Sequence, residues 1–205
     1  MATQLSEEKK VRSIVTPEFR LGFNFIFTPK IVKKKTKDGG EEPVKEYLAT
    51  AIFDKDADFK QMKALAIAAM NRKWPEGKPR NYKSPFVAGE DRLTEDGKVR
   101  PEYKNKIVMY FKNSFRQPGI VNEDRKPFLD ETKLYAGCYC VAEVTAFAWT
   151  NSGNNGISFS LENLMKVGDG ERLAGGNTPE EAFKAIVPRE RPDNSAELEK
   201  DDDEI

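Results

Sequence analysis

The 205-residue chain has no histidine and two cysteines. Without imidazole, Ser-His-Asp and Cys-His catalysis are excluded, because the proton relay has no carrier. Cys138 and Cys140 stand two apart, on one face of any strand and too close along one segment for an ordinary disulfide, so they read as small packing residues in a reducing compartment. A zinc site needs about four ligands, and thiol plus imidazole supply only the two cysteines here. No apolar run approaches the roughly 20 residues that cross a bilayer, and the opening stretch MATQLSEEKKVRS lacks a hydrophobic signal core, which predicts an intracellular protein without membrane contact. No Gly-Lys-Ser/Thr accompanies the glycines at 168, 170, 175 and 176, so there is no P-loop. The run Asp54-Lys-Asp56-Ala-Asp58 opens like a calcium loop, but Phe59 stands where the turn needs Gly and Leu65 where a bidentate Glu is needed. No cofactor or metal is expected.

Net charge is lacking too, with 34 basic and 34 acidic residues, but the zero conceals a division. The last thirteen residues, 193–205, hold seven acids and one lysine, so the remainder has 33 basic and 27 acidic residues, a net of +6. A positive body carrying its own anionic tail suits a protein that meets a polyanion and competes with it. The tail ends Asp201-Asp202-Asp203-Glu204-Ile205, which puts one apolar residue beside the terminal carboxylate.

The expected organisation is a head over 1–13, one folded domain over 14–192 and a disordered acidic tail over 193–205. Strict alternation over 20–28 places Leu21, Phe23, Phe25 and Phe27 on one face of a half-buried strand and Arg20, Gly22 and Asn24 on the other. A basic loop with Lys33, Lys34, Lys35 and Lys37 leads to a second strand at 46–53. Helical spacing of Phe59, Met62, Leu65, Ala66, Ala69 and Met70 predicts a helix over 58–74, followed by about thirty residues rich in Pro, Gly and charge. Loops that long are functional or disordered. Strands follow at 106–115, 134–149 and 157–167, the last two joined by the turn Asn151-Ser-Gly-Asn-Asn-Gly156, with a short helix expected at 179–187. The fold class is therefore all-β, a five-stranded antiparallel barrel of the oligonucleotide/oligosaccharide-binding (OB) type with long loops and one main helix. That helix falls between the second and third strands, whereas in such barrels it usually lies between the third and fourth.

Parity within strands nominates the binding face. In the fourth strand Leu134, Ala136, Cys138, Cys140, Ala142, Val144, Ala146 and Ala148 are apolar and mostly small. The opposite set, Tyr135, Tyr139, Glu143, Thr145, Phe147 and Trp149, contains polar residues and should face solvent. In the third strand Tyr110 points the same way as Lys106 and Lys112. Exposed rings beside lysines are what a sequence-indifferent binder of single strands needs, since every base has a π-face and every phosphate wants a cation. Arg72, Lys73, Arg80 and Lys83 surround Trp74 and Tyr82, Phe86 and Tyr103 lie in the same basic loop, and Arg116 follows the third strand. A single β-bulge would invert this parity and turn the rings inward as packing.

The run Leu134-Tyr-Ala-Gly-Cys-Tyr-Cys140, then Trp149-Thr-Asn-Ser-Gly-Asn-Asn-Gly-Ile-Ser-Phe159, then NLMKVGDGERLAGG over 163–176, resembles a bacteriophage family of single-stranded DNA-binding proteins long catalogued as a domain of unknown function. Thr28-Pro29, the Trp74 segment and the strand from Tyr110 to Phe115 fit the same pattern, so the likeness covers most of 15–190. The resemblance implies an OB-fold barrel that coats single-stranded DNA without catalysis, in the cytoplasm of a bacterial host. It also implies an acidic tail that engages replication partners, a polymerase or helicase, during replication, recombination or repair. Homo-oligomerisation stays open. Two rivals remain: an adaptor whose tail binds a basic partner and whose barrel never touches DNA, and a metal-dependent nuclease using scattered acids such as Asp54, Asp56, Glu143 and Asp169.

Overall fold

The computed structural model describes residues 13–35, 39–128, 130–173 and 183–186. Lys37, the expected head up to residue 12 and the tail over 193–205, including Asp201, Asp202, Asp203, Glu204 and Ile205, lie outside the described residues, as does the side chain of Lys35. The chain divides into two units, Met1–Ala174 and Gly175–Ile205. In the second, the described part of the expected 179–187 helix is one turn, with the Ile186 N–H donating to the Phe183 carbonyl at 2.9 Å. Among the described residues no helix is long and apolar enough to cross a membrane.

The first unit is built on strands β1 (Ile14–Val15), β2 (Phe19–Lys35) and β3 (Glu41–Asp54), helix α1 (Lys60–Lys73), then β4 (Tyr82–Lys83), β5 (Val87–Ala88), β6 (Lys106–Asn113), β7 (Gly119–Val121), β8 (Tyr139–Asn151) and β9 (Asn154–Gly168). Five of them close a barrel in the order β8-β2-β3-β6-β9-β8. An odd ring cannot alternate direction all the way round, so at least one pair must be parallel; here it is β6 with β9, Phe111 opposite Phe159 and Lys112 opposite Ser160. The remaining barrel pairs are antiparallel. This is the expected OB-type barrel, and its helix does fall between the second and third barrel strands.

Alternation sends Ala49, Ala51 and Phe53 of β3, Met109 and Phe111 of β6, Cys140, Ala142 and Val144 of β8, and Ile157, Phe159 and Leu161 of β9 inward, and all are buried. Phe53, Phe59, Phe86, Phe159 and Phe111 make a closed circuit of edge-on contacts with centroids 5.2 to 6.2 Å apart. Small residues on the facing strands leave room for those rings, the large-against-small interlock that dense packing needs. Helix α1 begins where Asp58 Oδ1 accepts the Lys60 N–H at 2.9 Å. It buries Met62, Leu65, Ala66 and Ala69 against β8, with β9 and β1 beside them.

Strand β2 departs from its expected parity. Leu21 is inside, but its pairing with β3 slips by one residue between Leu21 and Asn24 and by three between Phe25 and Lys30. Phe23 and Phe25 are therefore turned outward, at 44% and 41% exposed, and Ile26 takes the core position. A bulge hands every following side chain to the other face. Phe27 is half-buried against Phe128.

The long segment after α1 is ordered. β4 adds to β9, β5 adds to β6, and two short 3-10 turns, Gly89–Asp91 and Pro101–Tyr103, bring the chain back over the outside of the barrel wall. There Tyr103, 5% exposed, packs with Ile52 and Val108 in a small second core.

Candidate nucleic-acid interface

Register alone lines up the outer side chains. The β2 bulge sets Gly22 and Phe23 together against Thr50 of β3, between the Leu21–Ala51 and Asn24–Ala49 pairs; Thr50 pairs with Tyr110 of β6, and the next strand presents Ser158, which pairs with Phe147 of β8. Rings and small side chains thus alternate across successive strands, and with strands about 4.8 Å apart the rings are spaced by roughly 10 Å. One step along, the row reads Phe25, Leu48, Lys112, Ser160 and Thr145.

Two hollows follow these rows. One, of about 690 Å³ over β2, β3 and β6, is lined by Phe23, Lys30, Thr50, Arg92, Arg100, Tyr110 and Lys112, with Glu95 and Asp96 also at its edge. The other, of about 730 Å³ over β6, β9 and β8, is lined by Tyr82, Lys83, Arg92, Tyr110, Lys112, Phe147 and Trp149. Arg92, Tyr110 and Lys112 belong to both, so the hollows form one trough bordered by the segment around the first 3-10 turn. Its rings carry cations: Arg92 Cζ lies 4.4 Å from the Tyr110 centroid, Arg100 Cζ 4.6 Å from Phe23, and Lys78 Nζ 4.6 Å from Tyr82. Trp149 is fixed by its Nε1–H donating to Ser158 Oγ at 2.9 Å, above a Gly156 whose missing Cβ would stand 2.5 Å from the indole.

Of the residues nominated from sequence, Tyr82, Lys83, Phe86, Tyr103, Tyr110, Lys112, Phe147 and Trp149 are among the trough's lining. Two of these are occupied by packing: Tyr103 is buried, and Phe86 packs edge-on to Phe59 and Phe159 at 5.6 and 6.0 Å. Trp74 likewise packs against the core at the end of α1, where exposed Arg72 and Lys73 oppose the negative end of the helix dipole. Arg80 is exposed, its carbonyl accepting from Asn155. Lys33 and Lys34 stand on the two-stranded ribbon beyond the barrel, Lys33 3.6 Å from Glu41 and Lys34 donating to Ser114 at 2.9 Å. Arg116 holds Glu162 at 2.9 Å.

Tyr135, Tyr139 and Lys106 lie off the trough. The Tyr135 hydroxyl, with one proton to donate, has Asp169 Oδ1 at 2.9 Å and the Gly170 carbonyl at 3.0 Å as acceptors, and its ring contacts Arg172. Tyr139, 36% exposed, and Lys106, paired with Asp54, line a separate hollow of about 160 Å³ beside Arg20. A cleft of about 450 Å³ between the segment after β7 and the end of β9 includes Lys133 and Lys166, but each is already paired with an aspartate, Asp130 and Asp169.

Sequence parity missed Phe23, Phe25, Lys30, Arg92 and Arg100. A signal for the first two exists in Gly22, because glycine inside an alternating strand marks a bulge or a close approach. A Cβ there would meet Thr50 at 3.1 Å. Nothing in the pattern distinguishes Arg92 and Arg100 from the other charges of their segment.

Five strands closed through one parallel pair, one helix on the wall and a trough of rings and cations define an OB-fold barrel of the oligonucleotide-binding type. The family model described as Enterobacter phage Enc34, ssDNA-binding protein, matches residues 12–197, and the chain belongs to that family. Among solved structures, the single-stranded DNA-binding protein of bacteriophage Enc34 aligns with TM-score 0.61 at 18% identity, over 83% of this chain and 89% of that one. The same phage protein in complex with ssDNA aligns with TM-score 0.58 at 19% identity, over 80% and 91%. The bacteriophage T7 single-stranded DNA-binding protein gp2.5 aligns with TM-score 0.53 at 13% identity, over 88% and 97%. No curated protein matches by sequence.

Proposed function

We propose that the protein binds single-stranded DNA without sequence preference, laying the strand across the barrel so that bases stack on Phe23, Tyr110 and Phe147. Lys30, Lys83, Arg92, Arg100 and Lys112 meet the phosphates. The observation that carries this is the alternation of rings with Thr50 and Ser158 across the strands, flanked by cations. Stacking is indifferent to base identity and salt-dependent contacts are indifferent to sequence, so this lining suits coating rather than reading. Family membership and a relative captured with ssDNA support the same ligand.

In this reading the protein covers exposed template during replication, recombination or repair and performs no covalent step. Its acidic tail lies over the cationic trough when DNA is absent and, once displaced, recruits a replication protein, with Ile205 as an apolar anchor.

Titration with oligo-dT, followed by tryptophan fluorescence, tests the central claim because Trp149 lines the trough. Saturable quenching that weakens as salt rises is expected, with the oligonucleotide recovered intact in the presence of magnesium. A flat titration at low salt would favour the adaptor, and shortened oligonucleotide the nuclease.

A further inference from the structure

Lys30 of β2 and Lys112 of β6 converge on one carboxylate of the strand between them. Each Nζ lies 3.2 Å from the same oxygen, Oε1 of Glu46. The Glu46 side chain is 9% exposed whereas those of Lys30 and Lys112 are 32% and 42% exposed, which puts the acid on the floor and the two ammonium groups above it. The ammonium nitrogens are therefore held within twice their common contact distance of each other. Both contacts are ion pairs without hydrogen-bond geometry, since Glu46 Oε1 has no hydrogen-bond partner among the described residues. Each ammonium has three donors, and these are available to a ligand in the trough, which both lysines line. Burial alone would raise the Glu46 carboxyl, but Lys112 and Lys30 outweigh it and hold the group below its ordinary value. Glu46 is thus ionised near neutral pH, and two lysines with one carboxylate leave a single positive charge.

We propose that Lys30, Glu46 and Lys112 form one seat for one backbone phosphate of single-stranded DNA, with Glu46 as the positioning residue that makes two lysines act as a single cation. The proposal rests on the reading of the trough given above. A phosphodiester offers two non-bridging oxygens, one for each ammonium group. Beside the seat, Phe25 has its ring centroid 6.0 Å from Lys30 Nζ and pairs through Leu48 with the position of Lys112. A platform for the adjoining base therefore stands next to the phosphate.

The charge arithmetic makes an unusual demand. Removing either lysine leaves the other neutralised by Glu46, so a single substitution should abolish the whole seat. Removing the carboxylate as well should restore it, since one free lysine again carries one positive charge. The salt dependence of binding reads this directly, because each phosphate neutralised on a single strand contributes about 0.7 to the slope of log K against log salt.

The experiment measures oligo-dT affinity from low to high salt for the full chain and for Lys30→Gln, Lys112→Gln, Lys30→Gln/Glu46→Gln and Lys30→Gln/Glu95→Gln. Each single lysine variant should lose about 0.7 of slope, the Glu46 double variant should regain it, and the Glu95 double variant should not. Glu95 borders the same trough, so it controls for a general gain of positive charge. Unchanged slopes in both lysine variants, with DNA still bound, would show that no phosphate sits there. Failure of Glu46→Gln to rescue would show that the lysines act independently of it. No binding by the unmodified chain would instead overturn the reading of the whole trough.

Discussion

Tyr110 and Tyr103 are both tyrosines of the cationic face, yet their environments assign them opposite consequences. Tyr110 is half-buried on the trough under Arg92, while Tyr103 is 5% exposed beneath the returning chain. Stacking on one ring is worth about 1 to 3 kcal/mol per base, so Tyr110→Ala should weaken oligo-dT binding by roughly 5- to 150-fold. Its melting temperature should move by only a few degrees. Phe23→Ala should behave the same way, since its ring is 44% exposed. Tyr103→Ala should instead lower stability by about 3 kcal/mol, as truncation of a large buried ring does. Paired fluorescence titrations and thermal melts check this, and equal loss of stability in all three variants would remove the distinction. The cysteines illustrate the opposite limit, because burial pushes the Cys140 thiol far up and leaves it an inert packing group.

At the scale of elements, the trough wall depends on one close approach. Gly89 opens the 3-10 turn after β5, and a Cβ on it would stand 1.8 Å from the Tyr103 carbonyl oxygen. Gly89→Ala must therefore push the two turns apart, at a cost of about 1 to 3 kcal/mol. Because Arg92 and Arg100 ride on that segment, DNA affinity should fall as well; a variant with wild-type melting temperature and affinity would contradict this account. The sequence exposed the parity of β8 but not that of β2, for a local reason. In the β8–β9 ladder the extra residues, Glu162 and Val167, belong to β9, so β8 keeps its alternation unbroken. In the β2–β3 ladder they belong to β2 itself, and Phe23 and Phe25 exchanged an expected core position for the surface. Helix α1 was legible because its apolar spacing has a 3.6-residue period and Asp58 marks its start.

For the molecule as a whole, the governing quantity is the partition of charge, +6 over residues 1–192 against seven acids and one lysine beyond them. Deleting 193–205 should tighten oligo-dT binding at low salt, because a tethered anion no longer competes for the trough. The gain should shrink towards high salt, as the screening length falls from about 10 Å at 0.1 M to about 3 Å at 1 M. Unchanged or weaker binding at low salt by the truncated chain would count against competition by the tail.

The sequence by itself determined the five barrel strands, the helix, the small-residue lining of the barrel and the segregation of acid into the tail, because each is written in local periodicity or composition; the short strands β1, β4, β5 and β7 were not legible in it. Only the tertiary structure decided which rings share a row and which lysines share a carboxylate. Those relations join residues such as Phe23, Thr50 and Tyr110, or Lys30, Glu46 and Lys112, that are far apart in the chain and meet through barrel closure and strand register.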